Sequence, residues 1–468
     1  MNFSIMGLGV ILRTSTQLII LVISSRLFTP ADIGTAAIFF AIYHLVWPWF
    51  EVAIVQSYYQ IDQKDYVRFE SLGLLTVLSG ICAILVALGL TLVFEKIAPT
   101  RGYLIALMMV GAIATRSFST LSSADLLKTL RVKQHTVIEQ GSYIVGYALA
   151  LWLCIKLDLG ALYLVIGIFL HSLISCVLFQ IYNAVSIQAH YHGKKTLEMV
   201  ALSGGYFIAS GLNTFVREAN ILIIGVLISS STAAFYSRAL QIYMLGAFTI
   251  GQVFDKLLTP MFRKNIVQGL NNGQLFDLST LILISGFLPT SAFLFLNAET
   301  IITLLFGPNW VASAPILRVL TLALTFRTCS KINEATMRAY GRAWQRVIYY
   351  ILWAGVLLMC AYPATRIGVI GFAWAECAGA ILFWALSSRS AATLVGRNWH
   401  TQTVAISSSV PVLLIYVACH FAVNYSVHIN YSLQLGLELI ILIVLAGMQI
   451  ALVTKLHYRN LGALRQFT

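Results

Sequence analysis

The chain has 468 residues, of which 59% are hydrophobic and only 10% are charged, and its mean hydropathy is +0.85. Soluble globular proteins contain about 25% charged and 45–50% apolar residues. The composition therefore excludes a soluble enzyme and any disordered or fibrous class, and it predicts a polytopic membrane protein. The net charge of +13 has to be interpreted from where the cations lie relative to the bilayer.

Fourteen apolar stretches are each long enough to cross a bilayer, which takes about 20 residues. The first begins at Phe3 without a basic segment before it or a clear cleavage site, so we expect a membrane helix rather than a signal peptide. The predicted all-α protein has spans at 3–25, 33–55, 70–93, 102–124, 138–157, 160–184, 200–227, 232–257, 278–298, 309–333, 345–363, 368–388, 402–424 and 431–454. No loop exceeds about 20 residues, which excludes a large extramembrane domain.

Lysine and arginine residues are distributed unequally between the two sides of the predicted membrane. Eighteen lie in the loops that follow even-numbered spans or in the C-terminal tail, and five lie in the loops of the opposite side. Because cytoplasmic loops are enriched in these residues, both termini are predicted to be cytoplasmic. The even number of spans agrees with this topology.

The seven remaining cations lie within the predicted spans: Arg13, Arg116, Arg217, Arg238, Arg318, Arg327 and Lys331. An arginine at the centre of a membrane helix costs about 2.5–3.5 kcal/mol on insertion scales, so these side chains should face a wet cavity or form interhelical salt bridges. Lys331 lies near a cytoplasmic end, where its long side chain can reach water. Arg318 lies nearer the periplasmic end of its span, so a structural role is the alternative to a place in the cavity.

Deep acidic residues are fewer than the six arginines by our count, which gives Glu51, Glu218, Glu376 and Glu438. Arg217 and Glu218 are adjacent, and neighbouring helical positions point about 100° apart, so we do not expect these two to face each other. The excess of cations predicts that arginines line a cavity for an anionic substrate. Arg13, Arg217 and Arg238 are the first candidates because they lie on the first two helices of a lobe, and Arg327 and Arg116 follow.

Other polar and aromatic side chains in the spans each allow a functional and a structural interpretation. Intramembrane carboxylates are functional hypotheses by default, so Glu51 and Glu218 are candidates for coupling to H⁺ or Na⁺, with pairing to an arginine as the alternative. His44 and His171 are either proton relays or buried hydrogen-bonded histidines. A set of aromatic residues is suited to stacking on sugars or to packing alone: Tyr43, Trp47, Trp49, Tyr206 and Tyr243.

The two halves of the chain resemble each other at an offset of about 200–211 residues. Leu27–Gly34 joins the first two spans, and Leu227–Ala234 joins the seventh and eighth. Arg13 and Arg217 each precede a Leu-Ile-Ile triplet by five residues. We therefore expect two six-helix lobes, 1–198 and 199–398, and a terminal helix pair with a cytoplasmic tail, 399–468. Parallel repeats around a central site are a transporter architecture.

Three short motifs carry a resemblance to a known family. Ala234-Phe235-Tyr236-Ser237-Arg238-Ala239 is similar to a G-x-Y-S-R-A pattern, with Ala234 in place of the glycine. The other two are Leu305-Phe306-Gly307-Pro308-Asn309-Trp310 and the turn Thr29-Pro30-Ala31-Asp32-Ile33-Gly34. With these motifs, the chain resembles over nearly its whole length the Wzx-type polysaccharide flippases of the multidrug/oligosaccharidyl-lipid/polysaccharide exporter superfamily.

This resemblance implies export of undecaprenyl-pyrophosphate-linked oligosaccharide repeat units across a bacterial inner membrane, by alternating access driven by an ion gradient. It implies a transporter rather than an enzyme, without a metal or other cofactor. The expected partners are the lipid-linked oligosaccharide, membrane lipids, and a polysaccharide polymerase with chain-length proteins, but no nucleic acid. The sugar unit of an O-antigen, exopolysaccharide or other polymer is left open.

Four alternatives remain beside this reading. A peptidoglycan lipid-precursor flippase is close in fold and substrate, whereas a multidrug exporter for cations should have an acidic cavity. A membrane glycosyltransferase or polymerase needs a large outward loop, and the longest here, 299–308, has Glu299 as its single charge. A scaffold subunit should tolerate loss of Arg13, Arg217 and Arg238. The absence of a GxxxxGK[ST] motif argues against ATP hydrolysis by this chain.

Overall fold

The computed structural model describes residues 2–60, 66–94, 102–129, 131–185, 187, 189–398, 400–426 and 431–458. These residues form sixteen α-helices and contain no β-strand, which confirms the predicted all-α class. The helices are α1 (Asn2–Leu27), α2 (Pro30–Gln60), α3 (Tyr66–Phe94), α4 (Gly102–Lys128), α5 (Val132–Lys156), α6 (Tyr163–Asn183), α7 (Lys194–Leu227), α8 (Ser230–Val267), α9 (Gly273–Leu296), α10 (Ala298–Phe306), α11 (Ala314–Leu322), α12 (Leu324–Ala339), α13 (Ala343–Ile367), α14 (Val369–Leu394), α15 (Thr401–Ser426) and α16 (Tyr431–Tyr458).

Eleven of the described helices are long and apolar enough to cross a membrane, and α11 together with α12 adds a twelfth span, bent by 47°. At the bend the N–H of Ala323 donates to the carbonyl of Leu320, three residues back, at 3.1 Å, a local tightening that redirects a helix. The chain is therefore a multi-pass membrane protein. The predicted number of fourteen spans is not confirmed.

The chain divides into two compact units, Met1–Ser237 (unit 1) and Arg238–Thr468 (unit 2). In unit 1, α2 packs against α7, α3 and α4, while α5 pairs with α6 and with α1. In unit 2, α14 packs against α12 and α13, and α9 contacts α12, α15 and α16. The predicted lobe boundaries after residues 198 and 398 stay predictions.

The two hairpins of the predicted repeat begin their second helix in the same way. Thr29 Oγ1 accepts a hydrogen bond from the N–H of Asp32 at 3.3 Å, and Ser229 Oγ accepts one from the N–H of Thr232 at 3.2 Å. A hydroxyl that accepts a hydrogen bond from the N–H three residues later satisfies one of the free N–H groups at the start of a helix. The two hairpins thus share their helix-start geometry, and the repeat of the two halves stays a prediction.

Gly34 is where the first hairpin meets the second. A Cβ atom at this position would overlap the backbone carbonyl of Ser230. Glycine therefore allows the start of α2 to lie directly against the start of α8, a close approach that any larger residue would prevent.

Candidate functional site

A group of membrane-embedded charges in unit 1 is centred on Arg116 of α4. Its guanidinium donates two roughly parallel hydrogen bonds to Glu139 of α5, at 3.0 and 2.8 Å. On its other side, Nε lies 3.4 Å from Glu51 of α2. Two carboxylates therefore compensate one guanidinium, in the bidentate geometry that makes such pairs strong. We call Arg13, Glu51, Arg116, Glu139 and His171 the Arg116 cluster.

Glu139 is the member of the cluster that the sequence reasoning missed. The predicted fifth span begins at 138, whereas α5 begins at Val132, so Glu139 lies two turns inside the helix. It is also buried, at 6% exposure. The count of four deep acids is therefore wrong, and the excess of arginines over acids is smaller than predicted.

Arg13 of α1 occupies the open side of the Arg116 cluster. Its NH1 lies 4.0 Å from Glu139, and its side chain is 45% exposed. Its guanidinium lies over the ring of Tyr143 at 5.3 Å. Since Glu139 already accepts both hydrogen bonds of Arg116, Arg13 keeps donors available for a ligand. His171 lies on the same carboxylate, with Nε2 at 3.6 Å.

Arg217 and Glu218 of α7 form a direct ion pair, with Nε and Oε1 2.8 Å apart. The prediction that these neighbours do not face each other is wrong. The 100° rule describes where the Cβ atoms point, but the long arginine side chain curls back along the helix to reach the adjacent carboxylate. Of the two ion-coupling candidates, Glu218 therefore contacts Arg217 and Glu51 contacts Arg116, and coupling stays a prediction.

In unit 2, Arg238 links two of the motifs that the sequence analysis singled out. Its guanidinium lies over the ring of Trp310 at 5.4 Å and that of Phe306 at 6.0 Å. NH1 donates to Gln241 at 2.8 Å, and the residue is 1% exposed. The segment around Arg238 and the segment Leu305–Trp310 thus meet in one packed contact.

Arg327 of α12 is also held against an aromatic ring. Its guanidinium lies 4.2 Å from the ring centroid of Trp353 of α13, a distance typical of a cation–π contact. It is 5% exposed, and the buried Glu376 interacts with it electrostatically. Arg238 and Arg327 are therefore enclosed within unit 2 in this conformation, whereas Arg13 of unit 1 is half exposed.

The aromatic residues proposed to stack on sugars are mostly packed inside the protein. Tyr43, Trp47 and Tyr243 are buried, and Trp49 packs against Phe207 with ring centroids 5.1 Å apart. The side chain of Tyr206 lies outside the described residues. Their role in sugar binding stays a prediction.

Comparison with known proteins places the chain in a family. Residues 23–315 match the family of polysaccharide biosynthesis proteins. The chain belongs to this family. One relative, the teichuronic acid biosynthesis protein TuaB of Bacillus subtilis (strain 168), is 28% identical over 165 residues, which cover 33% of this chain and 32% of TuaB. The chain thus matches about a third of that relative's length.

Solved structures share the fold over much more of the chain. The lipid II flippase MurJ in an inward closed conformation has a TM-score of 0.74 at 14% identity, covering 97% of this chain and 98% of that one. An inward-facing MATE family multidrug resistance transporter of the MOP superfamily has a TM-score of 0.60 at 14% identity, covering 82% and 94%. The chain therefore shares the fold of these two polytopic helical transporters, as predicted.

Proposed function

We propose that this family member is a flippase that moves undecaprenyl-pyrophosphate-linked oligosaccharide repeat units across the bacterial inner membrane for cell-surface polysaccharide synthesis. The observation that carries the proposal is Arg13, a half-exposed guanidinium on a membrane helix, held over the Tyr143 ring. A cation in this position is costly unless it meets a polar or anionic partner during the working cycle.

The chemistry of Arg13 suits a pyrophosphate headgroup. The planar guanidinium fork binds phosphate oxygens in pairs, and its neighbour Arg116 is already compensated by Glu139 and Glu51. Tyr143 supplies an aromatic face beside the cation, which matches a ligand that carries phosphate and sugar together. We therefore propose Arg13 as the first anion ligand, with Arg217, Arg238, Arg327 and Arg116 as further cations of a solvated cavity.

Transport is proposed to proceed by alternating access driven by an H⁺ or Na⁺ gradient, with both termini in the cytoplasm. Glu51 and Glu218 are the proposed coupling carboxylates. Each lies within 3.4 Å of an arginine nitrogen, so an arriving anionic headgroup competes with the carboxylate for that arginine. Displacement of the carboxylate by the substrate would expose it to the coupling ion.

Leaflet-specific labelling tests the flippase proposal. The chromosomal gene is deleted, and the native or variant gene is supplied on a plasmid. A membrane-impermeant reagent then modifies the lipid-linked saccharide on the outer side, and the modified fraction is measured. We expect Arg13→Gln to reduce outward delivery about tenfold or more, since a charge-assisted hydrogen bond contributes about 1.5–3 kcal/mol. Arg26→Gln, an exposed cation at the end of the same helix, is the control. Undiminished delivery in cells without the gene would rule out the flippase.

A second candidate, transport of a peptidoglycan lipid precursor, is favoured by the similarity to the lipid II flippase over 97% of this chain. Both cargoes place a pyrophosphate at the membrane interface, so Arg13 serves either one. Expression of this chain in cells depleted of their own lipid II flippase separates the two: sustained growth supports the precursor, and growth arrest with normal surface polysaccharide supports the repeat unit.

A further inference from the structure

Three cations of unit 2 converge on one buried carboxylate at the end of α12. Lys331 Nζ lies 3.1 Å from Glu334 Oε1, while Arg338 NH1 and Arg346 NH2 lie 3.6 and 3.4 Å from Oε2. The side chain of Glu334 is 4% exposed. We call these four residues the Glu334 cluster. It shares no residue with the arginines assigned to the transport cavity.

The local fold assembles this cluster from two helices. Lys331, Glu334 and Arg338 are spaced by three and four residues, which places them along one face of α12. Gly341 then takes a φ of +70°, the left-handed conformation that ends a helix without strain. Because the turn is this tight, Arg346 in the first turn of α13 returns to the carboxylate twelve residues before it.

By the ion pairs between described residues, the charges of the Glu334 cluster do not balance. One carboxylate is shared by three cations, and Lys331 and Arg346 alone already outnumber it. Both are largely buried, with 15% and 13% of the side chain exposed, so water screens their mutual repulsion poorly. Glu334 holds the cations together but leaves a surplus of positive charge, which favours an additional anion at their exposed edges.

We propose that the Glu334 cluster binds the phosphate of an anionic membrane lipid at the predicted cytoplasmic side of the protein. Arg338 is the most exposed of the three cations, at 27%, so it marks the open edge of the cluster, and arginine guanidiniums bind phosphate oxygens in pairs. Trp344, at the start of α13, is 63% exposed, as expected of an aromatic side chain at the headgroup level. Basic pockets between membrane helices at this level bind phosphate headgroups.

A binding measurement on the detergent-purified full chain tests the site. Native mass spectrometry is used with dioctanoyl phosphatidylglycerol, with zwitterionic dioctanoyl phosphatidylcholine, with undecaprenyl pyrophosphate and with inorganic pyrophosphate. We expect the anionic lipids to bind more tightly than phosphatidylcholine. Arg346→Gln should weaken their binding about tenfold, the equivalent of one charge-assisted hydrogen bond. Glu334 keeps two cations in this variant, so the fold should survive.

Two further variants distinguish a lipid-binding role of the cluster from a purely structural one. Arg342→Gln removes an exposed cation from the same turn and should leave lipid binding unchanged. Glu334→Gln removes the competing carboxylate and should tighten anionic-lipid binding, whereas a purely structural cluster would be destabilised by both Arg346→Gln and Glu334→Gln without any effect on lipid preference.

The choice between lipids identifies the source of the phosphate. Preference for undecaprenyl pyrophosphate over phosphatidylglycerol assigns the site to the proposed cargo, and equal binding assigns it to bulk anionic lipid; both outcomes support a lipid phosphate site. Equal binding of phosphatidylglycerol and phosphatidylcholine, or binding of inorganic pyrophosphate alone, overturns it. Because no transport is measured, this result is independent of the flippase proposal.

Discussion

Arg116 in unit 1 lies between the carboxylates of Glu139 and Glu51. Arg327 in unit 2 lies over the indole ring of Trp353, and the buried Glu376 acts on it electrostatically without a direct ion pair among the described contacts. Both guanidiniums are deep in helices of a membrane protein, but they are held by different physics. A carboxylate balances the positive charge with a negative one, whereas a ring attracts the cation through its quadrupole and adds no opposite charge. The first arrangement should therefore be broken by removing a charge, and the second by moving a ring.

The largest effect is expected from Glu139→Gln in unit 1. Removing one partner of a buried ion pair leaves an uncompensated charge and costs about 3–5 kcal/mol, and the remaining contact of Arg116 with Glu51 is the longer one, at 3.4 Å. The free energy of unfolding of the detergent-solubilised protein measures the loss. The double variant Arg116→Met with Glu139→Met should recover most of it, because no buried charge remains unpaired. Equal stability of the single variant and the native protein would contradict a charge-based role.

A smaller loss is expected from Gly379→Ala in unit 2, which changes no charge. A Cβ atom at Gly379 of α14 would overlap the ring of Trp353, so the ring has to leave its present position over Arg327. Overpacking of this kind costs about 1–3 kcal/mol. Gly355→Ala in α13 is the matched control, since a Cβ atom there meets nothing within 4 Å and alanine favours the helix. If both variants have the same melting temperature, the ring is not fixed against α14.

The contrast between the two regions also shows what the sequence can reveal. Membrane insertion, the helical class and the turns of the two hairpins were predictable because apolar run lengths and turn residues are local: Thr29 and Ser229 cap their helices within three residues. The arginines Arg116 and Arg327 were predictable as unusual for the same reason. The free-energy cost of inserting an arginine into the membrane depends on its position in the span and not on which residue lies beside it.

The partners of these arginines were not predictable. Glu139 and Trp353 come from neighbouring helices, and the register between two largely apolar helices is set by side-chain packing that periodicity does not encode. Arg217 and Glu218 show the opposite failure, because a rule about Cβ directions was applied to a side chain long enough to overcome it. The Glu334 cluster likewise depends on the turn at Gly341.

Arg13→Gln should separate stability from transport. The guanidinium is half exposed and its contact with Glu139 is long, at 4.0 Å, so its removal should change the free energy of unfolding by about 0.5 kcal/mol or less. Outward delivery of the lipid-linked saccharide should nevertheless fall, as proposed above. Measuring both quantities on the same variant decides the matter: a loss of stability comparable to that of Glu139→Gln would give Arg13 a structural role in the Arg116 cluster rather than the role of a ligand.

The smallest effect is expected from Arg318→Gln in unit 2, which tests whether position alone makes an arginine important. Arg318 contacts Glu299 at 3.5 Å, and the two side chains are 42% and 61% exposed. Among the described residues, neither a buried carboxylate nor an enclosing ring holds this guanidinium, and exposed ion pairs contribute about 0–1 kcal/mol. We therefore expect the unfolding free energy to change by less than about 0.5 kcal/mol, with delivery unaffected. A strong transport defect in this variant would show that partly exposed arginines bind cargo regardless of their partners, and the distinction drawn between Arg13 and the enclosed arginines would fail.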